Sequence, residues 1–380
     1  MELGNGLSIK QNKLEIYNRI IKTENNERFE ILNKMSLEDY KEFIKQTGIA
    51  LPYRDSLSLG EGVTAKIRIT KNLETGQYAA LKIVPETEYL MYQKLLNCEN
   101  VINPLGVAKK DKDLYYVFLP VMGGGDLHKV SSKIFKAFQT GIINKKELQQ
   151  MKMHIVGCVF NGLLNMHRRN IYHLDTHPKN IMFDKEGSMN IIDFGFSKQT
   201  NGRKKDIYNG PMIDENKILP RWTLPPEFVM TSEVKLPTID FEKADAYRLG
   251  ATICTVDNYD KLLQYWNKID KKDENEKKKT VYHLYNRHLR ELSYKREVRG
   301  DNVLTGIGKK LMKIDPNDRS TIKSMYEEFL SQRKDKFFSS EDDYRNVFKK
   351  VMACEADVIN TDISYDIFTQ IIDENTKKDQ

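Results

Sequence analysis

Cysteine is scarce in this chain: four residues in 380, Cys98, Cys158, Cys254 and Cys354, with no C-x-x-C pair among them. That spacing excludes a zinc ribbon or a dithiol redox motif and predicts buried thiols in a reducing, cytoplasmic setting. Long apolar runs are also missing. No stretch of about eighteen apolar residues occurs, so a helical membrane span is not expected. Met1-Glu2-Leu3-Gly4-Asn5-Gly6 has neither a basic-then-apolar leader nor Gly at position 2, so neither a cleaved signal nor myristoylation is expected. Charge of one sign is not segregated either. The 61 Lys+Arg and 54 Asp+Glu give a net +7, but the signs alternate, as in Lys271-Lys272-Asp273-Glu274-Asn275-Glu276-Lys277. Nucleic-acid binding needs clustered basic residues that track phosphates, so nucleic acid is not an expected partner.

What is present is a globular composition, 39% hydrophobic and 30% charged, at a length suited to one large or two ordinary domains. In residues 1–54 apolar positions recur at helical spacing (Leu14, Tyr17, Ile20, Ile21, Phe29, Leu32), and Ser36-Leu37-Glu38-Asp39 reads as a capping box opening a helix that stops at Gly48. These features predict a helical N-terminal extension. From there the texture changes to short β-type runs, Ala65 to Thr70 and Gln77 to Val84, joined by Asn72-Leu73-Glu74-Thr75-Gly76 as a hairpin turn. Pro85 opens a helix with Glu88, Tyr92, Leu95 and Leu96 on one face, and Leu114 to Val121 is another strand. Met122-Gly123-Gly124-Gly125-Asp126 interrupts regular structure and marks a boundary. Beyond it, helices are predicted over Lys145 to His167 and near Phe241 to Cys254, Lys279 to Tyr294, Ser320 to Arg333 and Glu341 to Ala353.

Gly60-Glu61-Gly62-Val63-Thr64-Ala65 is a glycine loop that a dinucleotide fold would also accept. A dinucleotide fold requires a helix straight after the glycines, whereas Lys66-Ile67-Arg68-Ile69-Thr70 alternates like a strand. The loop therefore reads as a lid between antiparallel strands. Further along stand Ala80-Leu81-Lys82, His173-Leu174-Asp175 with Asn180, Asp193-Phe194-Gly195, Pro225-Pro226-Glu227, Asp245-Ala246-Tyr247-Arg248-Leu249-Gly250 and Asp315-Pro316-Asn317-Asp318-Arg319. Their order and spacing resemble those of the eukaryotic-type protein kinase family over roughly Leu57 to Leu330.

The resemblance implies an α+β, bilobal protein-kinase-like fold with a small, mainly β N-lobe (55–121) and a larger helical C-lobe (122–334). A helical N-terminal extension (1–54) and a helical C-terminal tail (335–380) would flank it, either of which could meet a regulatory partner. It implies ATP and Mg²⁺ as cofactors and a protein hydroxyl as acceptor, with Ser/Thr favoured. Asp175 would be the catalytic base, Lys82 the phosphate-binding lysine, and Asn180 and Asp193 the metal ligands. Glu88 is preferred to Glu86 as the partner of Lys82 because it lies beside the buried helix face. Gly60, Gly62 and Ala65 would cover the phosphates. Ile67, Ala80, Leu119, Met122 and Met182 would surround adenine between the lobes, and Asp126 would meet the ribose.

The catalytic loop, His173-Leu174-Asp175-Thr176-His177-Pro178-Lys179-Asn180, departs from the family pattern twice. Leucine replaces the arginine before the Asp, so it offers no charge to an activation-segment phosphate. His177 replaces the lysine two places after the Asp and could assist the transferred group only as a donor. H-x-D-x-H-P-x-N is also similar to aminoglycoside- and choline-kinase-like phosphotransferases, which keeps a small-molecule kinase open as an alternative. A pseudokinase scaffold is the other. Glu227 and Arg319, which match the paired ions bracing a protein kinase's activation segment, favour the polypeptide reading. Lysine-, asparagine- and isoleucine-rich usage leaves open whether such a kinase works in its own cell or as an effector in a host cytosol.

Overall fold

Asn72 to Gly76 reverses the chain because Asn72 Oδ1 accepts the backbone N–H groups of Glu74 (2.9 Å) and Thr75 (3.0 Å), and because Gly76 takes φ +71°. The two strands it joins, Lys66–Asn72 and Tyr78–Pro85, lie at the centre of a sheet. The computed structural model describes residues 20–51, 58–61, 66–207, 225–229, 238–259, 303–332 and 336–355. It divides after Gly124 into two compact units.

The first unit contains strands β1 (Ile20–Lys22), β2 (Arg28–Ile31), β3 (Ser58–Glu61), β4 (Lys66–Asn72), β5 (Tyr78–Pro85), β6 (Gly106–Lys109) and β7 (Leu114–Pro120). They form an antiparallel sheet in the order β1-β2-β4-β5-β7-β6, with β3 also pairing β4. Ala79 and Leu81 of β5 pack with Ile21, Phe29, Ile31, Ala108, Tyr116 and Phe118, and Phe29 stacks on Phe118 at 4.1 Å. Side chains alternate along a strand, so Ala80 and Lys82 project from the opposite face.

The helical reading of Ile20, Ile21, Phe29 and Leu32 is therefore corrected. Ile20 and Ile21 lie in β1 and Phe29 in β2, while Leu32 directly follows β2 and donates its N–H to Ile69 O. A free edge on β4 has backbone groups to satisfy, and this hairpin satisfies them while burying Ile21, Phe29 and Ile31. Its turn is Thr23 to Glu27, with Asn26 at φ +67°. Leu14 and Tyr17 lie outside the described residues. The next expectation holds: α1 (Leu37–Thr47) starts at Ser36, whose side chain accepts from Asp39 N, and ends at Gly48 in the left-handed conformation. Helix α2 (Glu86–Lys94) follows Pro85 directly.

The second unit opens with β8 (Gly125–Asp126) and α3 (Leu127–Gln139), neither expected from the sequence. Asp126 caps α3 by accepting from Lys129 N at 2.8 Å. Helix α4 (Lys145–His167) matches its expected limits and begins in a capping box of Asn144 and Glu147. Its Met151, Ile155, Val159, Leu163 and Met166 are all buried, each contributing about 1.5–3 kcal/mol of apolar burial. Strands β9 (Ile171–Tyr172), β10 (Ile181–Phe183), β11 (Met189–Ile191), β12 (Lys198–Gln199), β13 (Lys205–Ile207) and β14 (Thr238–Asp240) are short. The remaining described helices are α5 (Pro226–Val229), α6 (Phe241–Asp257), α7 (Val303–Leu311), α8 (Ile322–Leu330) and α9 (Glu341–Met352). The expected helix over Lys279 to Tyr294 lies outside the described residues.

Helix α9 packs on this unit. Tyr344 stacks on His154 of α4 at 3.6 Å and donates to Gly187 O at 2.7 Å, and Phe348 stacks on Phe183 of β10 at 5.9 Å. The tail thus buttresses the β10–β11 hairpin. Among the described residues no helix is long and apolar enough to cross a membrane.

Candidate active site

Each unit carries one group of the expected site residues. In the first, β5 presents Lys82 and the first turn of α2 presents Glu88. Lys82 Nζ lies 2.7 Å from Glu88 Oε1, with both side chains more than nine-tenths buried. Tyr92, one turn further along α2, donates to the same oxygen at the limiting distance of 3.5 Å. A buried lysine without a carboxylate beside it would cost the fold several kcal/mol, about 3–5 by the usual loss of one partner. Ala80 pairs with Leu119 across β5 and β7, and Met122 is buried just beyond. Ile67 lies in β4 and Gly60 in β3, whereas Gly62 and Ala65 lie outside the described residues. Gly123 admits no side chain, since a Cβ there would fall 1.5 Å from Thr47 O.

In the second unit the loop between β9 and β10 holds Asp175, His177 and Asn180. Asn180 Nδ2 donates to Asp175 O at 2.9 Å and to Asp175 Oδ2 at 3.0 Å. Because the amide nitrogen is committed to Asp175, the amide oxygen of Asn180 is the atom left to meet a cation. β10 and β11 then form the expected hairpin, and Ile192 N donates to Asn180 O at 2.9 Å, which sets the segment leading to Asp193 beside Asn180. Asp193 has φ +66°, and its Oδ1 accepts from Gly195 N at 3.2 Å. Two hard-oxygen side chains suit Mg²⁺, which retains water in its remaining positions. Met182 of β10 pairs with Asp126 of β8. Burial pushes the Asp126 carboxyl above its usual value.

His173 ties the loop together. A carbonyl can only accept, so His173 Nε2 donates to Ile192 O (3.0 Å) and Nδ1 accepts from Asp175 N (3.1 Å). Burial lowers its pKa, which keeps that neutral tautomer. His177 Nδ1 accepts from Lys179 N at 3.3 Å, which leaves the proton of the neutral ring on Nε2, 3.6 Å from Asp175 Oδ2. That distance is too long for a hydrogen bond. His177 thus stands beside Asp175.

The loop backbone is held from α6. Asp245 accepts His173 N (2.8 Å) on Oδ2 and Leu174 N (2.7 Å) on Oδ1, and His167 Nε2 lies 2.8 Å from Oδ2. Burial pushes the Asp245 carboxyl up, but these hydrogen bonds and the nearby imidazoles leave it below the usual carboxylate value. Leu174 has φ +59°, a conformation costing a bulky residue about 1–3 kcal/mol. Asp245 and a buried cluster of Leu174 with Tyr172, Phe228, Ile239, Phe241 and Ala244 enforce it. One further side chain was not read from the sequence: Arg248 of α6, fully buried, donates Nη1 to Asp175 Oδ1 at 3.1 Å. An arginine flanked by Tyr247 and Leu249 in an otherwise apolar helix segment was the available signal.

Arg319 meets Glu227 in two parallel hydrogen bonds, 2.8 Å and 3.0 Å, as expected from the sequence. Its Nε donates to Lys313 O, and Nη1 and Nη2 also donate to Lys243 O and Ile314 O. The sequence matches the family described as protein kinase domain over residues 53–330. The chain belongs to the protein kinase domain family.

Curated kinases similar to it include CBL-interacting serine/threonine-protein kinase 9 of Arabidopsis thaliana, 28% identical over 40% of this chain and 35% of the relative. CBL-interacting serine/threonine-protein kinase 26 of the same plant is 29% identical over 38% of this chain and 33% of the relative. CBL-interacting protein kinase 8 of Oryza sativa subsp. japonica is 26% identical over 38% of this chain and 33% of the relative. The chain spans about a third of the length of these relatives. Membership implies the α+β fold of a protein kinase domain.

Proposed function

We propose that this kinase domain transfers the γ-phosphoryl group of ATP, with Mg²⁺, to a serine or threonine hydroxyl of a protein. The observation that carries the reading is the arrangement around Asn180: its amide nitrogen fixes Asp175, its oxygen is left for a cation, and its backbone is bonded to the segment that delivers Asp193. Phosphoryl transfer requires little covalent chemistry from the protein and much charge compensation and positioning. Asp175 accepts the proton of the attacking hydroxyl and orients it. Asn180 and Asp193 hold the metal, which when bound neutralises charge on the phosphates. Lys82, aligned by Glu88, supplies a cation to the nucleotide phosphates, and His177 serves the transferred group as a donor. Gly60, Gly62 and Ala65 cover the phosphates, and Ile67, Ala80, Leu119, Met122, Met182 and Asp126 complete nucleotide binding.

A polypeptide acceptor is favoured over a small alcohol by the Arg319–Glu227 pair, which anchors α5, the end of the segment running from Asp193 to Glu227. The names of the relatives, which call two of them serine/threonine kinases and all of them CBL-interacting, support the Ser/Thr preference and a regulatory partner at one of the terminal segments. Four free cysteines agree with action in the cytoplasm. The test is a radiolabelled-ATP assay against a panel of generic protein substrates, choline and an aminoglycoside, with and without chelator. Label on serine or threonine of protein, abolished by chelator, is expected. Label on choline or the aminoglycoside alone replaces this reading with the small-molecule one, and no label with intact ATP binding replaces it with a scaffold.

A further inference from the structure

Helix α6 contributes two charged side chains to the catalytic loop, three residues apart and therefore on one helix face. Asp245 holds the backbone of His173 and Leu174. Arg248 reaches the side chain of Asp175, the residue after them, and is itself fully buried. Leu174 supplies no charge to the loop; its side chain is wholly buried among apolar neighbours. A buried guanidinium is costly and often no more stabilising than an apolar group of similar size, so stability alone is a weak reason for one here. What it does supply is direction. Arg248 fixes Oδ1 and Asn180 fixes Oδ2, so the Asp175 carboxylate is held in one plane, and an ionised carboxylate with about four acceptor sites keeps capacity for a substrate hydroxyl.

We infer that Arg248 is a positioning residue for Asp175: α6 acts as a rigid clamp, Asp245 on the loop backbone and Arg248 on the carboxylate, so the loop is preset without a cation of its own at position 174. The inference rests on the kinase reading above. It predicts that the charge serving the catalytic loop is internal to the fold.

The test compares wild type with Arg248→Lys and Arg248→Met in the full chain. Turnover is expressed per nucleotide-binding site, from titration with a fluorescent ATP analogue, and KM for ATP is measured in parallel. A purely structural role would lower the number of binding sites and leave the rate at each one unchanged. A positioning role lowers the rate per site with KM for ATP unchanged, by about a hundredfold for Arg248→Met, the scale of a misplaced reacting group. Arg248→Lys, which keeps the charge but not the planar fork, should recover all but about tenfold of wild-type turnover. If Arg248→Met yields no folded protein, Arg248→Lys decides: a fall in rate per site at constant KM supports the inference, and a wild-type rate overturns it. A wild type whose transfer is no faster than that of Asp193→Ala overturns the kinase reading and this inference together. An active wild type with unchanged rate per site in the Arg248 variants overturns the inference alone.

Discussion

Two buried arginines of the second unit meet carboxylates in different ways. Arg319 uses all five of its N–H groups, two on Glu227 and three on the carbonyls of Lys313, Lys243 and Ile314, and its guanidinium lies over the Tyr247 ring at 5.1 Å. Arg248, the next residue of α6 after that tyrosine, reaches Asp175 through Nη1 at 3.1 Å. The first pair is locked by backbone and serves the platform at α5. The second borders the carboxylate proposed to accept the proton of the substrate hydroxyl. One helix thus borders both ion pairs, the one that anchors α5 and the one at the proposed catalytic carboxylate.

The largest separation between the two regions should appear in turnover. Asp175→Asn should lose about 10²- to 10⁴-fold in kcat, the range for a displaced general base, with ATP affinity little changed. Steady-state kinetics beside equilibrium nucleotide binding check this. On the platform side the large effect is on folding: Arg319→Met leaves Glu227 without its cation and should cost about 3–5 kcal/mol in urea unfolding. A loss under about 1 kcal/mol would remove the distinction between the two arginines.

Acid should sharpen the same contrast. His128 of α3 is held neutral, its pKa pushed down to about 3, first by burial and then by its neighbours His177 and Lys179. Since the folded form resists a proton that the unfolded chain takes up below about pH 6.5, stability is present above that value and is lost as pH falls toward 3. The slope from one such group is at most about 1.4 kcal/mol per pH unit. His128→Leu should flatten the dependence of unfolding free energy between pH 6.5 and 5. The smallest effect is expected from dephosphorylation. Leu174 cannot receive a phosphate, Thr200 is buried and Ser197 Oγ donates to His173 O, so phosphatase-treated enzyme should keep its rate within about twofold. A collapse of kcat after treatment would mean that a different cation serves the loop.

Much of the fold was readable where local signals agreed with the tertiary demand. Helix α4 has a capping box, an apolar row and a clear end, and its limits match the expectation residue for residue. The β10–β11 hairpin was visible as two apolar runs around Asp184 to Gly187, although its second strand starts one residue earlier, at Met189. The N-terminal segment failed because Ile20, Ile21 and Phe29 fit a helical spacing as well as an alternating one. Only the unpaired side of β4, a partner distant in sequence, selects the strand. The Thr23-Glu24-Asn25-Asn26 cluster was the local hint of a turn. Arg248 was hidden for a related reason: its apolar flanks hint at burial, but its partner Asp175 is 73 positions away and nothing local names it.

Asn180 and Asp193 are proposed to hold the metal for phosphoryl transfer to protein. The most direct measurement is the rate of radiolabel transfer from ATP to a protein substrate by wild type and Asp193→Ala, at matched Mg²⁺ and matched folded fraction. Wild type should transfer label measurably and the variant should lose at least about a thousandfold, because charge compensation at the transferred group is removed. Equal rates from the two proteins would contradict it.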